Sequence, residues 1–216
     1  LHPRLAAEGH GLAVEQIRER IAAGDVYQVC LTVRAALGEV SGAALFTAMM
    51  AAGLPPYLAW VRLPGRGGEF VSASPELLLE MEGDTVRSEP MKGTAAPDAA
   101  GALQASGKDR AELAMITDLV RNDLTPLCRP RSVHVRTERR LVRLPYALQT
   151  VSEVAGTLLP GVGPLAALAA LHPGGSVTGA PKLAALQMIR QLEHTPRGPY
   201  CGALAYLADD GVGEDG

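Results

Sequence analysis

Val14, Ile17 and Ile21 recur at helical spacing with charged residues between them, and Gly24-Asp25 punctuates the end, which predicts a helix over residues 14–23. Residues 26–37 then alternate and are rich in β-branched side chains, the pattern of a strand, and Ser41 is placed to cap a second helix reaching residue 50. Four short runs, 57–63, 69–73, 77–81 and 85–89, read as strands with turns at 64–68 and 82–84, hence an antiparallel meander. The alanine-rich stretch 95–107 reads as a flexible connection. Residues 108–122 follow as a helix, with Ala111, Met115, Ile116 and Leu119 on its apolar face. Strands are expected at 133–143 and 147–158 and helices at 164–171 and 181–192, the last opening on Pro181 where a missing N–H costs nothing. A final strand is expected at 200–208. Antiparallel strands interrupted by helices argue an α+β fold, antiparallel sheets with helices, and not a doubly wound parallel sheet.

At 216 residues and 47% hydrophobic, the chain can bury a sizeable core. Its 20 basic and 23 acidic residues are dispersed, with no basic stripe of the kind that nucleic acid or an anionic membrane requires. The longest apolar runs, such as 165–171, fall short of the roughly 20 residues of a membrane span. Three distant cysteines, Cys30, Cys128 and Cys201, give neither a disulfide framework nor a metal motif and read as buried thiols of a cytoplasmic protein. The chain opens on Leu1-His2-Pro3-Arg4 and stops in a turn-like stretch after a strand pattern, so residues 1–216 read as one domain cut at both ends.

Several constellations carry chemistry. Ser74-Pro75-Glu76 precedes a strand, and Pro90-Met91-Lys92-Gly93-Thr94 follows one, which offers a carboxylate for proton traffic and an amine nucleophile. The bland readings are an exposed strand-edge carboxylate and a solvated lysine. Glu112 stands four residues after Lys108, the spacing of a helical ion pair, and is equally a candidate oxygen ligand for a hard cation. The loop Pro173-Gly174-Gly175-Ser176-Val177-Thr178-Gly179-Ala180-Pro181-Lys182 fails the phosphate-loop pattern because Lys182 lies three residues beyond Gly179. Small residues before a helix still suit an anion, with Thr178 and Gly179 as the contacts. Tyr200, in Arg-Gly-Pro-Tyr-Cys-Gly, reads by itself as an ordinary strand aromatic.

Taken in order, these motifs resemble the chorismate-utilising enzymes, and among them most closely component I of aminodeoxychorismate synthases. The likeness runs from about Val14 to the end of the chain. It implies a partial chorismate-binding domain of the anthranilate synthase component I type, working on chorismate with Mg2+. By this resemblance Lys92 attacks the substrate ring and forms a covalent intermediate, Glu76 is the acid/base, Glu112 binds the magnesium, and Thr178, Gly179 and Tyr200 hold substrate. Its second metal carboxylate would come from a C-terminal helix absent from this sequence. Replacing a C4 hydroxyl by an amine with retention calls for two displacements, and a desolvated lysine is a competent first nucleophile.

Three departures sharpen this reading. Anthranilate synthases look similar but carry a small residue in place of Lys92 and a histidine where this chain has Gln149; none of the five histidines stands at that motif. Isochorismate and salicylate synthases carry a water-activating lysine where this chain has Gln28. The usual asparagine of the family is Cys30 here, a change of packing more than of chemistry. The resemblance thus implies synthesis of 4-amino-4-deoxychorismate, on the way to para-aminobenzoate and folate, from chorismate and ammonia, the ammonia drawn from glutamine by an amidotransferase subunit. The alternatives are an anthranilate synthase component I and a chorismate-binding remnant without catalysis.

Overall fold

A computed structural model describes residues 3–35, 38–53, 55–65, 68–193 and 195–208. Helix α1 (Pro3–Ala22) leads through a turn into β1 (Gln28–Val29), and Ser41 caps α2 (Gly42–Ala51) by accepting the Ala44 N–H at 3.0 Å. The hairpin β2 (Tyr57–Arg62) and β3 (Glu69–Ser74) forms a two-stranded sheet of its own, against which α2 packs. The expected four-strand meander therefore breaks after β3. Pro75 stands at the break, and a residue with no N–H to donate cannot continue the ladder.

The main sheet holds β4 (Leu77–Glu82), β5 (Thr85–Glu89), β6 (Met91–Ala95), β7 (His134–Arg143) and β8 (Leu148–Thr157), all pairings antiparallel. Strand β8 is its spine. β7 runs along one edge, while β5 and β6 lie end to end along the other, β5 against residues 154–157 and β6 against 148–151. Pro90 joins the two halves, its carbonyl accepting the Ser152 N–H at 3.1 Å. Flanked by strands on both edges and packed against α4, β8 is buried along one whole face, while Gln149, Glu153 and Thr157 on the other stay partly exposed.

Helix α3 (Ala100–Ala105) occupies part of the stretch expected to be a flexible connection, and Arg139 from β7 caps it by donating to the carbonyls of Leu103 and Gln104. Helix α4 (Gly107–Leu124), capped by Ser106, lies across β6 and β8. It buries Leu113, Ile116, Thr117, Val120 and Leu124, so its inward stripe is rotated from the expected one and Ala111 is exposed. The buried Thr117 hydroxyl donates to Leu113 O at 2.6 Å, which removes the cost of burying it. Val86, Val154, Leu124, Leu158, Leu171 and Cys128 close the core between sheet and helices. Cys128 is the buried thiol expected; Cys30 and Cys201 are partly exposed, and all three are free.

Helix α5 (Pro164–Leu171) packs on α4 and leads into the small-residue loop, which contains one helical turn, α6 (Gly175–Thr178). The pair β9 (Gly179–Ala180) then bonds antiparallel to β1, and α7 (Lys182–Leu192) follows, with Pro181 at the cap position one residue outside it. Only Gln28 and Val29 of the strand expected over 26–37 are paired as a strand, and positions 36 and 37 lie outside the described residues. The expected strand at 200–208 is absent. An apolar extended run becomes a strand only where a second backbone supplies hydrogen bonds, and among the described residues none pairs with 201–208. No helix of the described residues is long and apolar enough to cross a membrane.

Candidate active site

Lys92 sits inside β6, one residue before a bulge at Gly93 where the register against β8 shifts. Gly93 has φ 74° and approaches Asp109 and Leu103 so closely that a Cβ there would come within 3.0 Å of each. The bulge re-aims the strand as it meets α4. Thr150 on β8 fixes the Lys92 backbone by donating its hydroxyl to Lys92 O at 2.6 Å. The Lys92 ammonium donates to Ser176 O in the small-residue loop at 2.9 Å and is partly buried.

Glu76 comes to the same place from the Pro75 break. Burial pushes its carboxyl above the ordinary carboxylate range, and this outweighs the opposing pull of a hydrogen bond with the Ser176 side chain, the charge of Lys92, and a bond from the Met91 backbone. A carboxyl so placed is suited to hold a proton and to give it up. Beside it lies a cavity of about 10 Å³ lined also by Ser88, Asp123 and Ser176, close to the space of one water. Lysine, carboxyl and loop are thus gathered from β6, from the break just before β4 and from α6.

Ser176 joins the two groups, offering its hydroxyl to Glu76 and its carbonyl to Lys92. Its only sequence signal was membership of the loop. Cys30 also donates to Ser176 O, at 3.3 Å, and takes a 3.7 Å contact from Gln28 Nε2, while Gln28 Oε1 is buried without a hydrogen-bond partner among the described residues.

Thr178 and Gly179 stand two and three residues beyond Ser176, both buried. The Thr178 hydroxyl donates to Gly174 O at 2.9 Å, and the Gly179 N–H to Gly175 O. Lys182 is held by Asp123 at 2.6 Å and by Leu171 O at 3.3 Å, a link from the start of α7 to α4 and α5.

Glu112 lies on α4, which packs on the strand carrying Lys92. It is partly exposed and faces Lys108 at 3.9 Å, the helical ion pair its spacing suggested. Among the described residues no group of three or more His, Cys, Asp or Glu side chains is arranged to hold a metal. A single carboxylate open to water is still a hard oxygen ligand of the kind a hydrated Mg2+ accepts. Tyr200 is over half exposed, in the unpaired segment after α7, with the Arg197 guanidinium 5.9 Å from its ring centre.

The sequence profile of the family described as chorismate binding enzyme matches residues 1–214. The chain is 38% identical to an aminodeoxychorismate synthase of Streptomyces pristinaespiralis over 99% of this chain and 31% of that protein. It is equally 38% identical to an anthranilate synthase component 1 of Haloarcula marismortui, over 92% of this chain and 42% of the relative. Among solved structures, a 2,3-dihydroxybenzoate-specific isochorismate synthase of Bacillus anthracis superposes with a TM-score of 0.75 at 26% identity, covering 88% of this chain and 54% of that one. The chain spans less than half the length of these two curated relatives.

Proposed function

Because the chain belongs to the family of chorismate binding enzymes, we propose that residues 1–216 are part of a chorismate-binding catalytic domain that aminates chorismate at C4, the reaction of an aminodeoxychorismate synthase component I. The observation that carries this reading is Lys92 on the bulged strand, its amine 2.9 Å from Ser176 O and beside a carboxyl that burial holds toward its protonated form.

In the first displacement a bond forms between the deprotonated Lys92 nitrogen and the substrate ring while the C4–O bond breaks, and Glu76 supplies the proton with which the hydroxyl departs as water. In the second, ammonia forms the C4–N bond, the bond to Lys92 breaks with its electron pair returning to lysine, and the Glu76 carboxylate takes up the proton that ammonia loses. Thr178, Gly179 and Tyr200 border the substrate. Glu112 is the residue that would hold Mg2+, whose chemistry when bound is to neutralise a substrate carboxylate. The ammonia would come from a glutamine amidotransferase subunit. The test is the full-length protein with chorismate, ammonium and Mg2+: 4-amino-4-deoxychorismate by mass is expected, and Lys92→Ala abolishes it while chorismate still binds. Unchanged product yield from Lys92→Ala would refute the covalent route.

A second reading, anthranilate formation, draws on the equal identity to an anthranilate synthase component 1. Fluorescent anthranilate as the product would establish it. Gln149, which hydrogen-bonds Thr94 at 3.3 Å in place of a proton-donating imidazole, argues against it.

A further inference from the structure

Arg197 opens the Arg-Gly-Pro-Tyr-Cys-Gly motif but has been given no role so far, yet it is heavily engaged beside the proposed cradle. Its Nε and Nη2 donate to the two carboxylate oxygens of Glu193 at 2.8 and 2.6 Å, its Nη1 to Val177 O at 2.7 Å, and its Nη2 also to Cys30 O at 2.7 Å. A guanidinium has five N–H donors, so one remains and no two-pronged face is left for a carboxylate ligand. Arg197 therefore grips protein, not substrate. Glu193 is equally committed, since it also accepts the Thr32 N–H at 3.0 Å and the Thr32 hydroxyl at 3.1 Å. Both side chains are largely buried, 15% and 7% exposed, which makes each costly to leave unpaired.

The segments joined this way are the ones that shape the loop. The β1 backbone fixes one side of it, with Cys30 N donating to Thr178 O at 2.8 Å and Tyr27 N to Ala180 O at 2.7 Å. Arg197 fixes the carbonyl just before Thr178, and its guanidinium faces the ring of Tyr200 three residues on. We propose that Arg197 is a positioning residue, anchored by Glu193, that sets the spacing between the Thr178–Gly179 loop and Tyr200 and so controls chorismate affinity without entering the chemistry. The proposal rests on the functional reading above in taking that loop as the chorismate cradle.

The test is calorimetric titration of chorismate into the full-length Lys92→Ala protein, with and without Arg197→Lys, together with steady-state kinetics of Arg197→Lys alone. A lysine keeps the charge but cannot span Glu193, Val177 and Cys30 together. Binding is expected to weaken about tenfold, the order of one lost charge-assisted hydrogen bond, with KM rising in step and kcat within about twofold. A folded Arg197→Lys protein with parental affinity, or one losing kcat at unchanged KM, overturns the proposal. Should Arg197→Lys fail to fold, Glu193→Gln decides: loosening the charged anchor is expected to raise Kd about threefold or more, and an unchanged Kd overturns it. No chorismate binding by the parent protein sinks the functional reading and this inference together, whereas parental binding that Arg197→Lys leaves intact sinks this inference alone.

Discussion

Replacing Gly179 with alanine is expected to destabilise the protein by roughly 3–5 kcal/mol, a figure built from two local costs. Gly179 adopts φ 138° and ψ −171°, a region held almost exclusively by glycine, and a side chain forced into it costs about 1–3 kcal/mol. An alanine Cβ would also stand well inside contact distance of the Gln28 carbonyl oxygen and 2.9 Å from Ala185 Cβ. The backbone oxygen cannot rotate aside, so relief requires β1 to part from β9. That endangers the bonds Tyr27 N to Ala180 O and Cys30 N to Thr178 O, each worth about 1 kcal/mol. The assay is urea unfolding of the full-length protein, where a slope of about 2 kcal/mol per molar turns this into a midpoint lower by roughly 1.5–2.5 M. Gly101→Ala, on α3 with nothing within 4 Å of the added carbon, is the control and should lie within about 1 kcal/mol of the parent. A Gly179→Ala midpoint no lower than that control would refute the argument.

Glu76→Gln tests the burial of the carboxyl. A folded-state pKa raised above the unfolded value gives stability that is complete below the unfolded pKa and is lost as pH rises through the folded one, so the variant should match the parent near about pH 4 and melt higher than it near about pH 8; equal melting at both pH values would contradict the shift. Leu124→Ala empties a fully buried site between Val86, Val154 and Leu171 and should cost about 3 kcal/mol in chemical unfolding; under about 1 kcal/mol would mean the core is not packed as described. Glu112→Gln should raise the Mg2+ concentration needed for half-maximal turnover about tenfold or more while leaving the melting point near the parent's, since its described partner is the exposed Lys108; an unchanged Mg2+ requirement would remove Glu112 from the site.

Local pattern located most elements because the forces that specify them are local. The 3.6-residue apolar recurrence is enough to place α4, although which of two overlapping stripes faces inward was settled by contact with β8 and β6. Residues 26–37 alternate like a strand, but alternation says nothing about whether a second backbone is at hand, and only Gln28 and Val29 find one. The meander failed for the same reason: β4 and β5 turn back on each other as expected, while the further partner of β5 is β8, some 70 residues away in sequence. At the site, Glu76 and Lys92 stood out by their local motifs. Ser176 and Arg197 did not, because each is tied to a distant partner, Ser176 to Lys92 84 residues away and Arg197 to Cys30 167 residues away, which no window along the sequence contains.

The placement of β8 as the spine also sets an order of assembly. Lys92 owes its position to Thr150, 58 residues later, and its amine contact to Ser176, 84 residues later. At a synthesis rate of about 5–20 residues per second, β6 waits roughly 4–17 s for the chain that completes its surroundings. Until β8 is made, Val86, buried in the finished sheet, has only its β4 hairpin partner among the strands and Met91 has none, and the edge of β5–β6 that β8 will occupy stands open to other strands. The Lys92 amine thus gains its contact only after both β8 and the small-residue loop have been made. The sheet is built mostly from non-local pairings, which places the chain among slower folders whose strand edges stay open until residue 157 has been made.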